Sequence, residues 1–98
     1  MPLAKLTIEL EIPHAQSLKD RRQVARSIKD KLRHGFNLSI AEMDDGALWN
    51  RVTFGIASIS SSPSYLSRQI QLIEGAVERA ANGLGARIID AYAEILPE

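Results

Sequence analysis

Within residues 3–12, LAKLTIELEI, the side chains Leu6, Ile8, Leu10 and Ile12 take one face, and Thr7, Glu9 and Glu11 take the other. A period of two with one greasy side is the mark of a half-buried β-strand. A strand of this kind has to find neighbours along its edges and a second layer over its apolar face. The rest of the chain is read by asking which segments supply them.

Pro13 ends the strand, and His14–Gln16 make a short connection. Ser17 is placed as an N-cap, with Asp20 three residues on in an approximate capping box. A helix then runs to about His34, where Gly35 is expected to supply the stop. Leu18, Val24, Ala25, Ile28 and Leu32 fall within about 120° of its circumference, the face that packs on a sheet. Phe36, Leu38 and Ile40 alternate with Asn37, Ser39 and Ala41 in a second strand, followed by the turn signal Asp44-Asp45-Gly46. A third strand spans roughly Trp49–Ile59, with Val52, Phe54 and Ile56 on one side and Trp49, Arg51, Thr53, Gly55 and Ala57 on the other. After the loop Ser60–Ser62, Ser62 caps a second helix that has Pro63 at its first position. That helix extends to about Ala81 with Leu66, Ile70, Ile73 and Val77 buried, and Asn82-Gly83 closes it. Residues 86–96 form the last strand, with Ile89, Ala91, Ala93 and Ile95 inward and Asp90, Tyr92 and Glu94 outward.

The order is βαββαβ. Four strands have one apolar face each, and only two helices exist to cover them, so both helices belong on the same side. The expected fold is α+β: a ferredoxin-like two-layer sandwich over residues 1–98, with the first and third strands central in an antiparallel four-stranded sheet. At 45% hydrophobic and 24% charged residues, the composition is that of a globular domain. The chain has no cysteine, which excludes disulfides, thiolate metal sites and cysteine nucleophiles. No apolar run approaches membrane-spanning length, and Lys5 and Glu9 interrupt the first ten residues, so neither a signal peptide nor a membrane helix is expected. The expected location is cytoplasmic.

A net charge of zero hides an uneven distribution. Residues 17–34 carry seven Lys or Arg against two acids, whereas residues 35–98 carry four against eight. Lys19, Arg22, Arg26, Lys29 and Arg33 share about 80° of the first helix beside its apolar stripe. One reading is that this ridge follows phosphates on structured RNA. The plainer one is a solvated helix face. Neighbouring cations repel by a few tenths of a kcal/mol per i,i+4 pair, and a purely structural face would more often mix signs. Arg21 lies inside the apolar stripe and is expected to snorkel at the sheet end or pair with Glu42 or Asp44.

The pieces LTIELEIPHAQSLKDRR, FNLSIAEMDD, LWNRVTFGIASIS and ARIIDAYAEIL together resemble the YlxP-like family of small bacterial proteins. Ser17-Leu18-Lys19, Ala41-Glu42, Leu48-Trp49 and Gly55-Ile56, in this order, carry the resemblance across nearly the whole chain. It implies a ferredoxin-like fold and, in many bacteria, a gene lying among those for translation initiation and ribosome maturation. It implies no established activity.

Trp49, Arg51, Gly55, Ala57 and Tyr92 are expected on the open sheet face. Glu9, Glu11, Asp90 and Glu94 share that face and disfavour phosphate there, so a homodimer contact, a partner-protein surface or, for Trp49, cover of a strand end fits better. His14 and His34 stand at opposite ends of a helix about 27 Å long at ~1.5 Å per residue, too far apart to share a metal. His14 could also help the helix N-terminus hold an anion, or simply be solvated. No nucleophile elbow, P-loop or dinucleotide glycine pattern occurs. The chain is therefore expected to be non-enzymatic, without cofactor or metal. Its expected role is as an accessory factor that contacts ribosomal RNA or a ribosomal subunit through the first helix, or else as a module that self-associates through the sheet.

Overall fold

The structure is a computed structural model that describes residues 1–43 and 48–97. Its elements in chain order are β1 (Leu3–Glu11), α1 (Leu18–Gly35), β2 (Ser39–Glu42), β3 (Arg51–Ile59), α2 (Pro63–Gly83) and β4 (Arg87–Leu96). The strands lie in the order β2-β3-β1-β4, every neighbouring pair antiparallel. This is the ferredoxin-like sandwich, with β1 and β3 central.

The alternation of β1 and β3 decides which face is covered. Leu6, Ile8 and Leu10 on β1 pair across to Ile56, Phe54 and Val52 on β3. All six are buried, and Ile28 and Leu32 of α1 and Ile73 and Val77 of α2 join the same core. Burying a side chain of this size is worth about 1.5–3 kcal/mol. The opposite face, Lys5, Thr7, Glu9 and Glu11 with Arg51, Thr53, Gly55 and Ala57, has no second layer among the described residues.

Both helix starts follow the sequence. The Ser17 hydroxyl accepts from Asp20 N–H at 3.2 Å, and the Asp20 carboxylate accepts from Gln16 N–H at 3.0 Å, one residue before the cap. Ser62 caps α2 by accepting from Tyr65 N–H at 3.3 Å.

Several local expectations are corrected. The helix does end at Gly35, but Gly35 has no positive φ; an extended Phe36 ends the helix, its N–H bonded to Leu32 O. Leu18, expected in the buried stripe, is the first residue of α1 and is 42% exposed. β3 begins at Arg51, so Trp49 lies in the turn before the strand and not on its face. β2 pairs only from Ser39, although Phe36 and Leu38 pack against the core as their alternation requires. In β4 a bulge at Ile89 intervenes between the pairs Glu9↔Asp90 and Leu10↔Ile88. Ile88 thus takes the inward place and Ile89 is turned out. Ala91 and Ala93 remain on the helix side, paired with Ile8 and Leu6, but exposed. The turn signal Asp44-Asp45-Gly46 lies outside the described residues.

α2 is closed further along than Asn82-Gly83 implied. Gly85 has φ +74°, its N–H bonds to Asn82 O at 3.3 Å, and Ala86 N–H bonds to Ala81 O at 2.8 Å. This pair of bonds around a left-handed glycine is a Schellman turn.

Candidate nucleic-acid interface

α1 is oriented by a charged residue in its apolar stripe. Arg21 is 4% exposed, and its Nε donates to Arg51 O at 2.9 Å, while Nη1 donates to Glu42 Oε1 at 2.8 Å. The second carboxylate oxygen of Glu42 accepts from Lys29 Nζ, also at 2.8 Å. Lys29 and Arg21 therefore straddle one acid at the end of β2. The Lys29 hydrogen bond is the main cause holding the Glu42 carboxyl below its ordinary value of 4.5; partial burial works the other way, and Arg21 adds to the lowering. Of the two acids proposed for Arg21, Glu42 is a partner, and Asp44 lies outside the described residues.

The five ridge cations consequently divide. Lys29 is half-buried and committed to Glu42, and Arg33 leans the same way, with Nη2 3.4 Å from Ile40 O. Lys19, Arg22 and Arg26 are exposed, and none has an ion-pair or hydrogen-bond partner among the described residues. With Gln23, Ser27 and Asp30 they border an open hollow of about 520 Å³ on the outer surface of the helix. Asp30 is the acid on that border, and the Asp20 carboxylate is turned to the Gln16 N–H at the N-cap.

The open sheet face has a different character. Arg51 stands 3.9 Å from Glu9, and Arg87 donates from Nε to Glu11 at 2.9 Å, so two of its four acids face cations. Gly55 and Ala57 lie on this face as expected, and Tyr92 projects from it at 62% exposed. Trp49, half-exposed in its turn, stands before the strand that carries them. Ala41 extends the Gly55 row onto β2, and the Met43 side chain crosses the space above Gly55.

Sequence reasoning placed no weight on Lys29 as a structural residue or on Met43. The signal for the first was readable. Glu42 and Arg21 are both charged residues at positions where the pattern calls for apolar ones, and Lys29 lies two turns along α1 from Arg21. His14 lies against Gly85, and His34 Nδ1–H donates to Asp30 O at 2.7 Å. Among the described residues no group of three or more His, Cys, Asp or Glu could hold a metal, and no helix is long and apolar enough to cross a membrane.

A family model described as protein of unknown function (DUF503) matches residues 3–92. The chain belongs to the DUF503 family. Its likeness extends to the uncharacterized protein YlxP of Bacillus subtilis (strain 168), 37% identical over 65 residues, which are 66% of this chain and 71% of the relative. This DUF503 chain also superposes on a dimeric ferredoxin-like protein of unknown function from Thermobifida fusca, with a TM-score of 0.52, 11% identity, and coverage of 100% of this chain and 92% of the other. A C-terminal segment of the alpha subunit of aIF2 from Pyrococcus abyssi is similar in the same way, with a TM-score of 0.52 and 14% identity. That match covers all of this chain but spans only 52% of the archaeal one. At these identities the structural likeness is one of fold alone.

Proposed function

We propose that this DUF503 chain is a non-enzymatic accessory factor in RNA or ribosome maturation that contacts structured ribosomal RNA through the outer face of α1. One observation carries the reading: Lys19, Arg22 and Arg26 stand together, exposed and without partners among the described residues. Unpaired cations in a row repel one another and gain by meeting a line of phosphates. The helix beneath them is held against the sheet by the buried Arg21, so the backbone that carries the row is ordered before contact and only the side chains lose freedom. Three cations without stacking aromatics beside them imply affinity for shape and charge, not for base sequence.

The test is co-sedimentation with purified ribosomal subunits across a salt series. For three phosphate contacts the logarithm of the binding constant should fall with that of salt with a slope of about −3. Arg22→Glu combined with Arg26→Glu should weaken binding at least tenfold. Binding by this variant equal to that of the wild type would remove α1 from the reading.

A further inference from the structure

We infer that the open face of the sheet is the contact surface for a second copy of this chain, stacked face to face about a twofold axis running along the strands between β1 and β3. This inference uses none of the α1 cations and stands apart from the RNA reading.

The cross-strand register lays the face out in rows. At one end Leu96, Leu3 and Ile59 stand side by side; in the middle Tyr92, Thr7, Gly55 and Ala41 form one row; at the other end Glu11 is paired with Arg51. The end row is apolar and poorly covered, with Ile59 55% exposed. On the β2 side the small residues Ser39, Ala41 and Ala57, bounded by Leu3 and by the Met43 side chain lying over Gly55, form a hollow of about 300 Å³. On the β4 side Tyr92 stands proud of the same row. A knob and a hole thus occupy opposite ends of one row on one surface.

A twofold axis along the strands exchanges the two sides of the sheet and keeps every row at its own level. Each Tyr92 then comes over Ala41 of the other copy, at the edge of the hollow and beside the Met43 side chain that covers Gly55. Leu3 comes over the partner's Ile59, and Glu11 over the partner's Arg51. At the two ends apolar meets apolar and acid meets base, as an isologous contact demands, while between them Lys5 comes over the partner's Ala57 and Glu9 over its Thr53. The alternative twofold axis, across the strands, would set the Leu3–Ile59 row upon Glu11 and Arg51 and bury those charges against aliphatic side chains. Aligned sheets pack with about 30° between their strands, which displaces the outer strands by about one residue, within the reach of a tyrosine.

The size is sufficient. Three strands of nine or ten residues and one of four, at ~4.8 Å spacing and ~3.3 Å rise, present roughly 500 Å² each. Two copies bury about 1,000 Å², where specific interfaces begin. The charges on the face nearly cancel, with Lys5, Arg51 and Arg87 against Glu9, Glu11, Asp90 and Glu94, so a second copy meets little net repulsion.

Sedimentation velocity of the full chain over a concentration series should give twice the chain mass at the upper end. Ala57→Arg, which puts a cation beside the axis, should raise the dissociation constant at least tenfold, and Tyr92→Ala should raise it as well. Both positions lie on the open face, so thermal melting that stays cooperative confirms that each variant is folded. Orientation is read by thiol cross-linking, since the chain has no cysteine of its own. Ser39→Cys and Glu94→Cys proteins, mixed and treated with a short bis-maleimide, should give a covalent heterodimer, while either alone should not. A monomer at every concentration, a dimer indifferent to both substitutions, or cross-links in the unmixed samples would each overturn the inference. RNA binding retained by a monomeric protein would leave the α1 reading intact.

Discussion

Glu42 accepts one charged hydrogen bond from Arg21 and another from Lys29, and through them β2 is tied to α1. Removing Arg21 would also strip a donor from the Arg51 carbonyl. Arg21→Ala should therefore cost about 2–3 kcal/mol, the scale of hydrogen bonds to charged groups. For a chain of this length that lowers the midpoint of thermal unfolding by about 10 °C or more. The same acid makes stability depend on pH. Its carboxyl is held below 4.5 in the folded state, chiefly by Lys29, so the unfolded chain takes up the proton more readily. The contribution of Glu42 is complete above its ordinary value and is lost as pH falls through the lowered folded one. Glu42→Gln should melt well below the wild type at pH 7, and the two melting curves should converge as pH drops below 4.5. Curves that stay equally far apart at all pH values would mean that the carboxylate charge is not what holds β2 to α1. The Arg21 position was legible because a guanidinium in an apolar stripe requires a partner. Which cation would share that partner was not, because it depends on the placement of β2 beside α1.

The two helix ends make a contrast that composition could not draw. Gly35 is the last residue of α1 and Gly85 lies just beyond α2, and either could have served as a left-handed stop. Only Gly85 has a positive φ, and a Cβ there would lie 3.2 Å from His14 Cδ2. Gly85→Ala should destabilise by about 1–2 kcal/mol, from backbone strain with His14 displaced in addition. A Cβ on Gly35 meets nothing within 4 Å, so Gly35→Ala should be neutral or stabilise by up to about 1 kcal/mol. Chemical denaturation of the two variants checks both signs at once. The β4 bulge is of the same kind. A strict period of two puts Ile89 inside, and one extra residue opposite β1 puts Ile88 there instead. Strand alternation is local and can be read from the chain; a bulge is a mismatch between two strands and belongs to neither.

Charge is segregated across the two layers. The helix layer carries on its outside Lys19, Arg22 and Arg26, without partners among the described residues, while on the open sheet face Glu9 and Glu11 stand against Arg51 and Arg87. Stacking two sheets face to face would leave both α1 helices on the outside of the pair, so both surfaces could be occupied at once. The Arg22→Glu/Arg26→Glu variant should accordingly keep its fold, melting within a few degrees of the wild type, because exposed substitutions away from packed features stay within about 0.5 kcal/mol each. It should also sediment with the wild-type mass. A large fall in melting temperature would mean that these side chains hold the fold.

Element order, the apolar faces of β1, β2 and β3, both N-caps and the basic row on α1 all followed from the chain, since each rests on neighbours within one or two turns or pleats. So did the ferredoxin-like architecture, because four one-sided strands and two helices leave few ways to bury the greasy surface. What the five ridge cations would each face did not follow. Lys29 and Arg33 reach towards β2 while Lys19, Arg22 and Arg26 stay clear of it, and that division comes from where an edge strand lies beside the helix. The hollow beneath Met43 likewise exists only because Ala41, Gly55 and Ala57 come level on adjacent strands. Contacts between segments far apart in the chain are set by register and packing, which no single segment encodes.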